Sequence, residues 1–120
     1  MTADPFVILY IEDNDYIRQS FAELLATPER RILGVADGAG AREALGGQKV
    51  DLLMTDINLP DGSGLDVARE ALQQNPKLPV IVCSGHDLRD IVGSLGPTAH
   101  PLRKPFDPDE LEALVERLAR

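Results

Sequence analysis

Short apolar segments alternate with amphipathic segments along this chain of 120 residues, and the alternation occurs five times. The apolar segments have the length of strands, and the segments between them carry apolar residues at helical spacing. Strands are predicted at 6–11, 31–36, 50–56, 79–83 and 100–103, and helices at 15–26, 39–45, 64–74, 87–95 and from Pro108 onward. Alternation of this kind predicts a doubly wound α/β fold, in which helices cover both faces of a parallel sheet.

The composition narrows the class of protein. A hydrophobic content of 43% is enough for one core, so a single domain over residues 1–120 is expected, with no output domain. The net charge of −8 argues against binding to nucleic acid or to anionic membranes. No segment has the ~20 apolar residues of a membrane span, and the N-terminus does not resemble a secretory signal. The single cysteine, Cys83, fits a reducing compartment, so a cytoplasmic protein is expected.

Polar side chains stand where four of the five predicted strands end. Glu12 and Asp13 follow the first strand, Asp56 ends the third, Ser84 follows the fourth and Lys104 follows the fifth. Open α/β sheets form their sites at the carboxyl ends of strands. The sequence therefore predicts that these side chains meet in one site.

The acidic residues among them suit a hard metal ion. Mg²⁺ prefers carboxylate and carbonyl oxygens, waters and phosphate oxygens. The predicted Mg²⁺ ligands are the carboxylates of Glu12, Asp13 and Asp56 and the backbone carbonyl of Asn58. Asp13 is also able to cap the following helix, but so are Asn14 and Asp15, so capping does not require Asp13.

The same site suits phosphoryl transfer. Asp56 is the predicted nucleophile, because carboxylates can form aspartyl phosphates. Lys104 and Ser84 are predicted to bind phosphoryl oxygens, the first through its charge and the second through its hydroxyl. Clustered carboxylates repel an incoming phosphate, so metal binding is expected to precede the chemistry.

Taken in order, these residues resemble the receiver domain of two-component response regulators. The resemblance extends from Val7 to the last helix and rests on Glu12-Asp13, Asp56, Ser84 and Lys104-Pro105-Phe106. It implies a flavodoxin-like three-layer sandwich with strand order 2-1-3-4-5 and a cis Lys104-Pro105 bond. It also implies a phosphorylated signalling switch with self-phosphorylation and autodephosphorylation only, not a turnover enzyme. The implied partners are a sensor histidine kinase or a His-phosphotransfer protein, and a downstream protein that the sequence does not identify.

The sequence departs from the pattern of that family in one region. Most receivers carry Tyr or Phe three residues before the lysine, where this chain has Pro101, preceded by His100. A regular strand places the His100 side chain on the opposite face. The segment between Ser84 and Lys104 is also slightly short and contains Gly93 and Gly96. We therefore expect a truncated fourth helix and atypical coupling to the output.

Three other functions remain open at this point. The first is a receiver-like module that binds partners without being phosphorylated. A haloacid-dehalogenase-like phosphatase is less favoured, because Asn58 stands where a proton-transferring acid is needed. A flavodoxin-like electron carrier is also less favoured, because residues 12–15 are largely acidic where a flavin phosphate would bind.

Overall fold

A computed structural model describes residues 4–85 and 89–119 of the chain. Five parallel strands form one sheet, with the order β2-β1-β3-β4-β5. The strands are β1 (Phe6–Ile11), β2 (Arg30–Val35), β3 (Leu52–Asp56), β4 (Val80–Ser84) and β5 (Ala99–Arg103). The helices are α1 (Asp15–Leu25), α2 (Gly38–Gly47), α3 (Gly64–Gln74), α4 (Arg89–Gly93) and α5 (Pro108–Leu118). The predicted fold class and strand order are confirmed.

Each face of the sheet carries its own hydrophobic core. Alternate residues of a strand point to opposite faces, so Leu9 and Ile8 of β1 belong to different cores. The first core packs against α2, α3 and α4, and the second packs against α1 and α5. The first contains Leu9, Ile11, Ala41, Val50, Leu53, Val67, Ala68, Ala71, Leu78, Val80, Val82 and Val92. The second contains Ile8, Tyr10, Leu25, Leu52, Met54, Ile81, Cys83, Leu102, Leu111 and Val115.

Helices α1 and α5 begin at polar caps that the sequence supplies. The Asn14 side chain accepts a hydrogen bond from the amide of Ile17 at 2.9 Å and caps α1. Asp107 caps α5 by accepting from the amide of Asp109 at 2.8 Å. Because Asn14 caps α1, the carboxylate of Asp13 is not needed for that purpose.

The fourth helix differs in extent from the predicted segment 87–95. Residues 87 and 88 lie outside the described part of the chain, and α4 ends at Gly93. Beyond it the chain forms tight turns, in which the amide of Leu95 donates to the Val92 carbonyl at 3.0 Å. Gly96 follows with a φ of 113°, which a residue with a side chain rarely adopts. The helix therefore stops two residues earlier than its apolar spacing predicts.

A small antiparallel ribbon after β3 was not predicted. Asn58–Leu59 pairs with Gly62–Ser63, and residues 60 and 61 form its tip. Strands of two residues are too short to give a periodic signal in the sequence. The ribbon matters because it follows Asp56 directly and contains Asn58.

Within residues 4–85 and 89–119, the structure contains no helix with the length and apolar character of a membrane span.

Candidate functional site

The carboxyl ends of β1 and β3 lie side by side and bring the predicted acidic residues together. Ile11 of β1 is paired with Thr55 of β3, so the residues that follow Ile11 lie next to Asp56. Glu12, Asp13 and Asp56 each offer a carboxylate oxygen, and these oxygens lie within 4.8 Å of one another. We call these three residues the acidic cluster. Glu12 is buried, Asp56 is half-buried and Asp13 is exposed, so the cluster opens to solvent on one side.

Lys104 reaches the acidic cluster from the end of β5. Its Nζ lies 2.7 Å from Oδ1 of Asp56, and the two side chains are 41% and 17% exposed. Burial lowers the pKa of Lys104, but the hydrogen bond and the charge of Asp56 outweigh it, and the pKa is raised overall. Lys104 is therefore a stable cation directly beside Asp56.

Ser84 and Lys104 are joined through the backbone. The amide of Lys104 donates to the carbonyl of Ser84 at 2.7 Å, and Ser84 is paired with Arg103 in the sheet. Asp56 is paired with Cys83, so Ser84 comes one residue beyond the partner of Asp56. The structure thus places Ser84 at the same edge of the sheet as the other predicted site residues. The Lys104-Pro105 bond that follows is cis, as the resemblance implies.

Glu12 has the most perturbed carboxyl group of the site. Burial is the main cause that raises its pKa to about 7, and the proximity of Asp13 and Asp56 acts in the same direction. The amide of Asn14 donates to Oε2 of Glu12 at 3.0 Å and partly opposes this shift. The raised pKa means that the metal-free site resists carrying all its negative charges at neutral pH.

The loop after Asp56 is packed tightly against its own strand. The Thr55 hydroxyl donates to the Asp56 carbonyl at 2.8 Å, and the amide of Gly64 donates to the Ile57 carbonyl at 2.6 Å. A Cβ at Gly64 would collide with the Asp56 carbonyl oxygen and lie 2.6 Å from the Thr55 hydroxyl. Glycine is therefore required at Gly64 for the backbone to approach Asp56 so closely.

Sequence reasoning missed several residues that hold the site in place. Arg18 of α1 donates to the Glu12 carbonyl at 2.8 Å and to the Asp15 carboxylate at 2.6 Å. Asp61, at the tip of the ribbon, accepts hydrogen bonds from the first turn of α2. The only signal for Asp61 was the sequence Pro60-Asp61-Gly62, which is equally typical of an ordinary turn.

Cys83 contributes packing rather than chemistry. Its side chain is buried in the second core. Burial is the main cause that raises the pKa of the thiol to about 12, and the negative charge of Asp56 adds to it. A thiol in this state does not act as a nucleophile at neutral pH, although it lies beside Asp56 in the sheet.

The region that departs from the receiver pattern lies on the edge strand β5. Pro101 is exposed, whereas Leu102 is buried against α5. Alternation places His100 on the same face as Leu102, opposite to Pro101, as predicted for a regular strand. Burial lowers the pKa of His100, and the positive charge of Arg117 on α5 adds to this effect.

The carboxylates of the acidic cluster fit a divalent cation of the Mg²⁺ type. Their oxygen atoms are the hard ligands that Mg²⁺ prefers, and their spacing lets one ion contact all three. Asn58 lies on the ribbon two residues after Asp56, and its carbonyl belongs to the same type of ligand. The arrangement as a whole offers a carboxylate nucleophile, a cation beside it and a place for a metal ion.

Comparison with known proteins shows to which protein family this chain belongs. The sequence pattern of the response regulator receiver domain matches residues 8–116, which is most of the chain. The chain therefore belongs to the family of response regulator receiver domains. Proteins of this family are signalling switches rather than conventional turnover enzymes.

Curated relatives are longer than this chain. The DNA-binding transcriptional regulator NtrC of Escherichia coli (strain K12) is 35% identical over 113 residues, which are 92% of this chain and 24% of NtrC. The response regulator protein PmrA of Pseudomonas aeruginosa is 37% identical over 115 residues, which are 94% of this chain and 52% of PmrA. The chain thus spans between a quarter and about half of the length of these relatives.

Solved structures share the fold over nearly the whole chain. A response regulator receiver protein from Sinorhizobium medicae has a TM-score of 0.86 and 28% identity, and the match covers 98% of this chain and 96% of that one. The chemotaxis response regulator CheY4 of Vibrio cholerae has a TM-score of 0.84 at 22% identity, over 95% of this chain and 98% of that one. The second likeness concerns the fold alone.

Proposed function

We propose that this chain is a phosphorylatable, Mg²⁺-dependent switch of the cytoplasm, in which Asp56 accepts a phosphoryl group. The donor is a phosphohistidine of a sensor histidine kinase or of a His-phosphotransfer protein. The observation that carries the proposal is the contact of 2.7 Å between Asp56 and Lys104, beside two further carboxylates. No other described arrangement in the chain combines a nucleophile, a cation and a set of oxygen ligands for a metal.

The proposed reaction uses one carboxylate oxygen of Asp56. This oxygen bonds to phosphorus while the phosphorus–nitrogen bond of the donor breaks. The electron pair of that bond goes to the imidazole nitrogen, which takes up a proton. A bound metal ion would neutralise charge on the phosphoryl oxygens, and Glu12, Asp13, Asp56 and the Asn58 carbonyl would hold it.

Lys104 and Ser84 have separate roles in this proposal. Lys104 already pairs with Asp56, so it is poised to pair with a phosphoryl oxygen that arrives there. Ser84 binds a second phosphoryl oxygen through its hydroxyl. The phosphoryl group adds roughly −1.5 to −2 units of charge, by analogy with phosphate esters. Movement of Ser84 and Lys104 toward this charge changes the populations of the neighbouring loops.

The output coupling is proposed to be atypical. Pro101, in the position where most receivers carry an aromatic residue, is exposed on an edge strand, and α4 ends at Gly93. A rotating aromatic ring at this position is therefore absent, and partner binding depends on other elements. The same feature favours the second candidate function, a protein-interaction module that is not phosphorylated.

One experiment separates the two functions. The chain and an Asp56→Asn variant are incubated with acetyl phosphate, with and without Mg²⁺, and intact mass is measured. Amide NMR spectra with beryllofluoride provide a second readout. A switch gains one phosphoryl group only when both Asp56 and Mg²⁺ are present. Modification that persists in Asp56→Asn would falsify the assignment, and no modification of the starting chain would favour the interaction module.

A further inference from the structure

A carboxylate outside the acidic cluster holds the tip of the ribbon. The amide of Gly38 donates to Oδ1 of Asp61 at 2.8 Å, and the amide of Ala39 donates to Oδ2 at 2.9 Å. These amides belong to the first turn of α2, where backbone donors lack partners within the helix. Both oxygens of Asp61 are therefore engaged, although the residue itself is exposed. The two amides are the main causes that lower the pKa of Asp61, so it binds them as a charged group.

The ribbon links this contact to the predicted metal ligand Asn58. Asn58 is paired with Ser63, and Leu59 is paired with Gly62, so Asp61 stands at the tip of a closed hairpin. The base of the hairpin is fixed by the hydrogen bond from Gly64 to Ile57. A hairpin of two-residue strands has little stability of its own. Its orientation, and with it the position of the Asn58 carbonyl, therefore depends on what holds the base and the tip.

The N-terminus of α2 is a firm anchor for the tip. Asp37 caps the helix by accepting from the Gly40 amide at 2.8 Å. Ala41 is fully buried in the first core. Arg42 forms an ion pair with Glu70 of α3 through two nitrogen atoms, at 3.0 and 2.8 Å. The start of α2 is thus fixed by a cap, by packing and by an ion pair to its neighbour.

The same anchor is connected to the other half of the acidic cluster. The amide of Glu12 donates to the carbonyl of Val35 at 3.0 Å, and Val35 ends the strand that leads into α2. Asp61 therefore joins the loop of Asp56 and Asn58 to the segment that is hydrogen-bonded to Glu12. The two sets of predicted metal ligands come from β1 and β3, and this contact joins the loop after β3 to the start of α2, which follows β2.

We propose that Asp61 is a positioning residue, which holds the Asn58 segment of the loop in place for the metal site by tying it to the first turn of α2. The proposal rests on the proposed function, because it concerns the metal of that site. Asp61 itself is not proposed to contact the metal or the phosphoryl group. Groups that orient metal ligands typically change metal affinity by 10- to 100-fold when they are removed.

The test compares two aspartates at the same helix end. Asp61→Ala removes the contact between the ribbon and α2, whereas Asp37→Ala removes the cap of α2 and keeps the Asp61 carboxylate. Both substitutions remove one negative charge from the first turn of α2, so the change in net charge is the same. Mg²⁺ affinity is measured by amide NMR titration of the whole chain, and urea unfolding is measured alongside.

Asp61→Ala is expected to weaken Mg²⁺ binding by about tenfold, whereas Asp37→Ala, which keeps the Asp61 carboxylate, lowers stability and weakens Mg²⁺ binding less. Asp61→Asn keeps one acceptor oxygen and should lie between Asp61→Ala and the starting chain. A Mg²⁺ affinity of Asp61→Ala equal to that of the starting chain would overturn the positioning role while leaving the proposed function intact. If the starting chain binds no Mg²⁺, the proposed function fails, and this role fails with it.

Discussion

Two clusters of charged side chains lie at opposite ends of the sheet and are built on opposite principles. At the carboxyl end, three carboxylates lie together, and one of them, Asp56, contacts Lys104. At the amino end, the buried Arg30 contacts Glu112 and Glu116 of α5 at 2.7 and 2.8 Å. We call these last three residues the arginine clamp. The acidic cluster concentrates like charges, whereas the clamp surrounds one cation with two anions.

This difference in charge indicates that the acidic cluster serves function and that the arginine clamp serves stability. The clamp satisfies its buried charge and ties the start of β2 to the last helix. In the acidic cluster, burial of Glu12 raises its pKa, the neighbouring carboxylates raise it further, and the charged form of Glu12 costs stability in the absence of a ligand. Such an arrangement is consistent with a site that a cation completes. Substitutions in the two regions should therefore give opposite patterns of function and stability.

The largest expected effect is on phosphoryl uptake in Lys104→Met. Removing the cation beside Asp56 should slow modification by acetyl phosphate by about a hundredfold, because one preorganised charge contact is lost. Stability should change by only about 0–1 kcal/mol, since the pair with Asp56 is partly exposed. Intact-mass time courses and urea unfolding measure the two quantities.

Lys77→Met is the matched control, because Lys77 is exposed and precedes the amino end of β4, whereas the site lies at the carboxyl ends of the strands. It should leave both quantities unchanged. If Lys104→Met takes up the phosphoryl group as fast as the control does, Lys104 does not act in the site.

The arginine clamp should show the reverse pattern. Glu112→Gln with Glu116→Gln leaves the Arg30 guanidinium buried without its anions, which should cost about 2–3 kcal/mol of unfolding free energy. Arg30→Met should cost less, about 1 kcal/mol, because both glutamates are partly exposed and regain water. Phosphoryl uptake should be unchanged in both variants. Urea unfolding checks the order, and a larger loss in Arg30→Met than in the double variant would contradict it.

The acidic cluster was predictable from the sequence, whereas the clamp was not. Asp56 stands at the end of an apolar run, and the carboxyl end of a parallel strand is a place where sites form. Arg30 lies in a run of charged residues, Glu29-Arg30-Arg31, that is typical of a solvated surface. Its partners are 82 and 86 positions away, and no local pattern indicates such a pairing.

The contact of Asp61 and the end of α4 could not be predicted from local sequence patterns either. Asp61 has the sequence signature of a turn residue, and its contact to α2 depends on how two distant loops meet. The apolar spacing of 87–95 predicts a helix to Leu95, but turns after Gly93 end it earlier. Local spacing thus predicts which elements form and which residues line their ends, whereas contacts between loops depend on the tertiary structure.

Glu12→Gln tests whether the acidic cluster lowers the stability of the metal-free protein. The folded-state pKa of Glu12 is about 7, above its ordinary value of 4.5. A raised carboxyl pKa contributes stability that is complete below pH 4.5 and is lost as the pH rises through about 7. In metal-free solution above that pH, Glu12→Gln should therefore be more stable than the starting chain, by on the order of 1 kcal/mol. Urea unfolding with a chelator present measures this, and a less stable variant would show that the charged Glu12 side chain does not destabilise the fold.

The smallest effect is expected at His100, and its sign is opposite to that of Glu12. Burial lowers the folded-state pKa of His100 below 6.5, and Arg117 adds to this effect. Between that lowered value and 6.5 the unfolded chain binds more protons, so this contribution to stability is lost as the pH falls through the window. His100→Gln should remove only this part of the pH dependence, a few tenths of a kcal/mol. Because Glu12 makes stability fall with rising pH and His100 makes it rise, their slopes partly cancel in the starting chain. Urea unfolding of Glu12→Gln, His100→Gln and the double variant across this pH window separates the two contributions. If His100→Gln leaves the pH dependence of stability unchanged, the His100 ring is solvated.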